Sequence, residues 1–433
     1  VSLLAIDFGS SSIKAAILRG TNIVGRPAHM AFHTRYEGPR AEVDPDVLLT
    51  ALKQALHQLG KPVGRVDAIA LSTMSPAWIA LDRRGRALTP IVTHQDRRSV
   101  EIAREMENRF GKRRLLQLSG NRPIPGGISS TTCAWFAHHH PAQLRKASLI
   151  GHLNTFLHRQ LADSRVIDPA NASFTGLYQT IRLGGWSDEL CELAGVRREQ
   201  LPDILDANQV GGTITPAAAQ AFGLKAGTPM LVGLVDTSAA MLLIDPKPGK
   251  MLNGCGSTDV LALCTDHPRP HEQLLTRALG VGRLWMAVRT IAAAGSSLTW
   301  AKSQLYPDFS DRKFFALLSR LIHSKAGDSQ VTFDPYLAGD RNSLEQRQAS
   351  FTGLTLATTR DQMLLAIARS LAKASADRLL LFEKLYGKLN PHVTLTGGAD
   401  KALHNILHKN WPKRFQFHRV SEATLRGLGK LIS

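Results

Sequence analysis

Apolar and polar positions along the chain fall into runs of two periods. Leu3–Ile6 and Ile13–Leu18 are apolar and flank a small-residue tip, Gly9–Ser12, which reads as a β-hairpin at the start of the chain. Pro45–Leu59 carries Leu48, Leu49, Leu52, Leu56 and Leu59 at helical spacing. "VDAIALS" (Val66–Ser72) and "WIALD" (Trp78–Asp82) have the pattern of buried strands, Ser99–Phe110 is helical, and Ser119–Ser130 is loop-rich, with Pro and Gly at several positions. "LVGLVD" (Leu231–Asp236) predicts a strand that ends on an acid. The second half starts as the first does: "GKMLNGCGSTDVLALCT" (Gly249–Thr265) is again apolar run, small tip, apolar run. A long periodic helix, Asp361–Tyr386, then leads into "HVTLTGGAD" (His392–Asp400), a strand closed by Gly-Gly. The repeated hairpin predicts two structurally related α/β domains, 1–240 and 241–433.

Composition agrees with that division. A chain of 433 residues exceeds one ordinary core, and two domains of roughly 200 residues each is the default. Hydrophobic residues make up 43% and charged residues 20%, which is globular composition. No apolar run approaches the roughly 20 residues that span a bilayer, and the first residues show no basic n-region, so neither a membrane segment nor a secretory signal is expected. Cys133, Cys191, Cys255 and Cys264 are widely spaced, without zinc or C-x-x-C spacing, and read as structural thiols in a reducing, cytoplasmic setting. The formal charge of +18 is unusual. The basic residues are scattered in short clusters such as Arg83–Arg84, Arg97–Arg98 and Lys112–Arg114, with no nucleic-acid-binding motif beside them. They read as a solvated basic surface that helps to recruit a polyanion such as a nucleotide, with neither nucleic acid nor membrane as partner.

A Gly-Ser turn between strands is ordinarily only a hairpin. Two tips of one composition, each near an acid, point further. Glycine lets the backbone approach a ligand and turn its N–H groups outward, hydroxyls add donors, and successive N–H groups form a nest suited to phosphate oxygens. Asp7 is placed either to hold magnesium through water or to pin the turn. Asp236, followed by "TSAA", is placed to accept a proton from an attacking hydroxyl, to cap a helix, or both. No P-loop, G-x-G-x-x-G, H-E-x-x-H or G-x-S-x-G motif is present. His138–His140 read as a solvated helix end before Pro141 rather than a metal site.

"AIDFGSSSIKAAIL" resembles the N-terminal phosphate motif of the FGGY family of carbohydrate kinases, D-x-G-T/S-x-S-x-K, on Asp7, Gly9, Ser10, Ser12 and Lys14. Further segments resemble the family in order. They are "VDAIALSTMSPAWIALDRRGRALTPIVTHQDRRS" (sugar-side strands and D-x-R), "SGNRPIPGG" (Ser/Thr-Gly-Asn loop), "AGTPMLVGLVDTSAAML" (catalytic aspartate, Asp236) and "NGCGSTDVLAL" (second phosphate loop, Gly254, Gly256, Ser257, Thr258). Then come "TIAAAGSSLTW" (a nucleotide-side turn, Gly295), "FDPYLAGDRN", "TLTGGAD" (adenosine motif, Gly397, Gly398) and "EATLRGLG" (closing helix). The resemblance covers nearly the whole chain. It implies two ribonuclease-H-like domains of the actin and hexokinase type flanking a hinged catalytic cleft. It implies ATP and Mg2+ as cosubstrate and cofactor, and transfer of the γ-phosphoryl group to a sugar hydroxyl.

The acceptor segment departs from the family. Xylulose kinases tend to carry Gln-Met-His where this chain has Met74-Ser75-Pro76, and gluconate kinases also tend to keep a Met-His pair, whereas the "SGNRPIPGG" loop reads more like xylulose kinases. His94 and Gln95 stand where an aromatic and a polar residue are common; Asp96 and Arg98 are retained. The sugar-side candidates are therefore Met74, Ser75, Trp78, Asp96, Arg98 and Asp236. Asp96 is expected to grip acceptor hydroxyls, and Trp78 either stacks on a sugar face or belongs to the core. The expected acceptor is a ketopentose such as xylulose, with gluconate and sedoheptulose as alternatives. Oligomeric state, a homodimer included, is left open. Competing classes are a non-enzymatic ATP-dependent module, which would lack the sugar-side segments, and a degenerate sugar sensor, which would not need both Asp7 and Asp236.

Overall fold

The computed structural model describes all residues except 324–329, 341–342, 346, 399–400 and 433. It divides into two compact units. One comprises Val1–Pro248, Cys264–Ala287 and Glu422–Ser433, and the other Gly249–Leu263 and Val288–Ser421. The sequence suggested one boundary near residue 240; the chain instead changes unit after Pro248 and twice returns to the first.

The first unit is organised by a seven-stranded sheet. β1 (Ser2–Phe8) and β2 (Ser12–Arg19) form the opening hairpin, with Ile6 opposite Ala15 and Asp7 opposite Lys14, and β3 (Asn22–Ala31) continues it antiparallel. On its other side β1 pairs in parallel with Ala68–Thr73, which in turn pairs in parallel with Pro229–Leu231 and Leu234–Val235. Strands buried on both faces read as continuous apolar runs, which explains "LLAI" and "AIAL". α1 (Pro45–Leu59) covers one face. Asp44 caps it by accepting from the Asp46 N–H at 2.8 Å, Pro45 opens it, and Gly60 at φ +71 closes it. Leu48, Ala51, Leu52, Ala55 and Leu56 turn into a core shared with Ile6, Ile13 and Ile69. A second sheet runs Arg35–Glu37, Arg40–Val43, Ile91–Thr93, Ala77–Leu81 and Leu149–His152, and a second core gathers Trp78, Trp135, Phe136, Tyr178 and Trp186.

The second unit repeats the opening scheme. Met251–Cys255 pairs antiparallel with Asp259–Thr265 and parallel with His392–Thr396, which pairs in parallel with Gln416–Arg419. The helix Arg360–Tyr386 carries a capping box, Thr359 with Gln362, and buries Leu364, Ile367, Leu371 and Phe382. No helix among the described residues is long and apolar enough to cross a membrane.

Candidate active site

In the first unit, three neighbouring parallel strands deliver their carboxyl ends to one place, the usual ligand end of an open α/β sheet. Asp7, on β1, lies opposite Ser72, whose Oγ donates to Asp7 Oδ1 at 2.8 Å. On the other side of Ser72 and Thr73 lie Leu234 and Val235, so Asp236 is the next residue out. The "LVGLVD" run bends to achieve this. Gly233 adopts φ +73, and a Cβ there would lie 2.3 Å from the Leu71 carbonyl oxygen, which leaves two short strands where the sequence suggests one. Asp236 begins the helix Asp236–Leu243, but Val235 holds the cap position. Asp236 Oδ1 accepts from the N–H and hydroxyl of Thr237, at 2.5 and 3.0 Å.

The charges at this strand end are coupled. Asp7 is pushed up to about 7, first by burial and then by the Asp236 carboxylate. Ser72 and Lys14 pull it down, and Glu422 adds to the rise. Lys14 reaches both oxygens of Glu422 at 2.9 Å. Glu422 has a positive φ of +47 and stands immediately before the helix Ala423–Leu428, where the chain re-enters the first unit. Two carboxylates at one strand end, one raised by burial and by the charge of the other, fit a hard divalent cation. Magnesium takes one or two carboxylates and completes its shell with water and phosphate oxygens. No group of three or more metal-binding side chains occurs among the described residues.

The first tip is closed by Gly9 N–H to Ser12 C=O at 3.0 Å, with Ser10 exposed and Gly9 and Ser12 half-buried. In the second unit the structure gathers the remaining small-residue turns. Gly254 lies in the strand and Gly256 N–H donates to Thr258 C=O at 3.1 Å. Ser257 C=O accepts from Ala294 N–H, and Gly295 N–H donates to Gly256 C=O at 3.1 Å as the helix Gly295–Leu305 begins. A Cβ on Gly295 would lie 2.6 Å from the Gly256 oxygen. One on Gly397, at φ +99, would lie 2.1 Å from the Cys255 oxygen. Close backbone approach is what demands glycine at both. Gly398 follows directly; Ala399 and Asp400 of "TLTGGAD", and Arg341 and Asn342 of "FDPYLAGDRN", lie outside the described residues.

On the acceptor side, Met74 is buried and its N–H donates to Phe8 C=O at 2.7 Å. Trp78 is a core residue, stacked on Phe136 with ring centroids 4.7 Å apart. Asp96, expected to grip acceptor hydroxyls, is instead buried and saturated. Oδ1 accepts from Arg98 N and Nε at 3.0 Å, and Oδ2 from Ala41 N at 2.8 Å and Arg98 Nη2 at 2.6 Å. Arg98 also bonds Glu42 at 2.5 Å and lies over Trp135. The pair ties this loop to the strand that carries Ala41 and Glu42. That loop continues to His94, whose carbonyl accepts from Arg97 and packs on Gly126 of the Ser119–Ser130 segment.

The Ser119–Ser130 segment, which holds Asn121, and the candidate Ser75 gain partners that the sequence did not single out, among them Arg277, His152 and Asn171. Asn121 exchanges both hydrogen bonds with the backbone of Thr276, and Arg277, stacked on Phe174, donates to Gly127 C=O at 2.6 Å and Ser173 C=O at 3.0 Å. Ser75 Oγ meets His152 Nδ1 at 3.2 Å and donates to Asn171 Oδ1 at 2.9 Å, and His152 Nε2 meets Ser129 Oγ at 2.7 Å. Asn171 leans on Asp168, which also caps the helix Pro169–Thr175 and which burial pushes up to about 7.

A site of this kind, paired acids beside a glycine tip on a β-hairpin, belongs to nucleotide-dependent phosphotransferases. The profile of the FGGY family of carbohydrate kinases matches through its N-terminal domain at residues 2–242 and its C-terminal domain at 251–404, and the chain belongs to that family. It is 27% identical over 264 residues to the autoinducer-2 kinase of Yersinia enterocolitica, a match covering 58% of this chain and 49% of that protein. It thus spans about half the length of that relative. It is 23% identical over 379 residues to the gluconokinase of Bacillus subtilis, covering 84% of this chain and 73% of the relative. The crystal structure of xylulose kinase from Rhodospirillum rubrum superposes with a TM-score of 0.86 at 21% identity, covering 99% of this chain and 88% of the other, which shows the shared fold.

Proposed function

We propose that the chain transfers the γ-phosphoryl group of ATP to a hydroxyl of a small sugar, most simply a ketopentose such as xylulose. The observation that carries this is the meeting of Asp7, Ser72 and Asp236 at the carboxyl ends of three neighbouring strands, where β1 runs into the Gly9–Ser12 tip. Phosphoryl transfer asks a protein mainly to position and to neutralise. Asp236 orients the acceptor hydroxyl and takes its proton as the bond to phosphorus forms. Asp7 would hold magnesium, which supplies charge neutralisation at the phosphates when bound. The N–H groups of the Gly9–Ser12 tip, with Lys14, serve the phosphate oxygens, and in the second unit the turns at Gly256, Gly295 and Gly397 serve the nucleotide.

A second reading, phosphorylation of gluconate, is favoured by the gluconokinase match, the longer of the two sequence alignments. Both are tested by ATP consumption with magnesium across ketoses, polyols and sugar acids, with Asp236→Ala as control. A sugar-dependent signal that the variant loses is the expected result. Nucleotide binding with no turnover on any acceptor would overturn the kinase reading in favour of a sugar sensor.

A further inference from the structure

Ser75 lies two residues past the end of the strand Ala68–Thr73, whose Ser72 bonds Asp7. From another strand His152, the last residue of Leu149–His152, stands against Ser75. The hydrogen bonds around it can be assigned directions. Asn171 Oδ1 can only accept, so the Ser75 hydroxyl donates to it. Ser75 has one proton, so towards His152 it must accept, which puts a proton on His152 Nδ1. His152 is neutral, since full burial and the nearby Arg277 guanidinium push it down to about 3. Its Nε2 is therefore the acceptor, and Ser129 donates to it. Asn171 Nδ2 passes the chain to Asp168 at 2.6 Å, where Asn154 Nδ2 also donates, at 3.2 Å. Every member has a fixed orientation. Ser129, His152, Asn154, Asp168 and Asn171 are at most 2% exposed, and Ser75, at 9%, is the member with surface left.

We propose that Ser75, oriented by His152 as a positioning residue, selects the acceptor. Its proton is committed to Asn171, so Ser75 Oγ has only a lone pair to offer. It accepts from a substrate hydroxyl and gives nothing to a carboxylate. The site therefore takes an uncharged ketose or polyol and rejects a sugar acid. A lone-pair site facing a carboxylate leaves both unpaired, the situation in which polar sites discriminate most strongly.

This rests on the acceptor-side reading of residues 73–76, and the test separates the two. Steady-state kinetics and calorimetric acceptor binding are measured side by side for xylulose, a pentitol and gluconate, on the wild type, Ser75→Ala and His152→Asn. The expected wild-type result is kcat/KM and affinity for gluconate at least 100-fold below the best uncharged acceptor. Ser75→Ala should raise the acceptor KM about tenfold or more with the ATP KM within twofold. His152→Asn, with its thermal midpoint recorded, should narrow the discrimination at least tenfold, and its effect should shrink in the Ser75→Ala background. Gluconate equal to or better than the uncharged acceptors in the wild type overturns the proposal. So do variants that move acceptor and ATP parameters alike. If nothing is phosphorylated, the kinase reading falls, while the binding ratio still decides this one: a preserved preference for the uncharged acceptors supports it, and no preference overturns it.

Discussion

The β1–β2 hairpin of the first unit and the hairpin built from Met251–Cys255 and Asp259–Thr265 in the second share one scheme: an antiparallel partner on one side, a parallel strand on the other, a small-residue tip and an acid close by. Their acids have opposite fates. Asp7 stands half-buried at a strand end, raised by Asp236 and held by a serine hydroxyl. Asp259 is fully buried, paired with an equally buried Arg378 and bonded by Asn253 at 2.7 Å. The same frame therefore leaves its acid raised and partly exposed in one unit and sealed in an ion pair in the other. What decides between them is whether a buried cation lies across from the acid. A small-residue tip with an acid beside it does not distinguish the two.

The largest effect expected from breaking this contrast is at Asp236. Asp236→Ala should lower kcat about a thousandfold, within the range of general-base catalysis, with nucleotide affinity by calorimetry within about twofold of wild type. Arg378→Met should next show the structural character of the second acid. It strands a buried carboxylate, costing about 3–5 kcal/mol, seen as a thermal midpoint roughly 10 °C lower. Lys14→Met, at a pair more than a third exposed on both sides, should cost less than about 1 kcal/mol. Among the glycines, Gly397→Ala should weaken nucleotide binding about tenfold, because its Cβ would meet the Cys255 carbonyl at a positive φ. At Gly9 a Cβ would stand 3.3 Å from the Ser12 oxygen, and Gly9→Ala should change affinity about twofold. A separate effect is in pH dependence. A carboxyl raised to about 7 in the folded state favours stability below the ordinary carboxylate range and loses that advantage as pH rises through 7. With chelator present, Asp7→Asn should melt a few degrees above wild type at pH 8, and the gap should close by pH 4. A constant gap across that range would remove Asp7 from the coupled pair.

Much of this frame was legible in the sequence. Both tips, α1 with its leucine stripe, and the acids Asp7 and Asp236 stand out because each lies where an apolar run stops, a local feature. The supporting groups do not. Ser75 meets His152 across 77 positions and Asn171 across 96, and Lys14 meets Glu422 across 408. No spacing rule reaches that far. The partners of Asp96 were hidden for a related reason: Ala41, whose N–H donates to it, lies 55 positions away. Trp78 was ambiguous because an aromatic in a buried strand has the same neighbours in sequence whether it faces a core or a sugar.

The final segment has a consequence for how the protein is made. The helix Ala423–Leu428 packs against Asp236–Leu243 and the first strands. Gly427 lies so close to Ala239, and Gly429 to Gly20, that a Cβ at either would collide with backbone. A ribosome delivers residues 1–248 first, yet the layer they fold under arrives only after all of 288–421 has been synthesised. During translation the first unit waits unfinished, its helix at Asp236 uncovered. A premature stop anywhere in the second unit therefore costs the first one its closing wall.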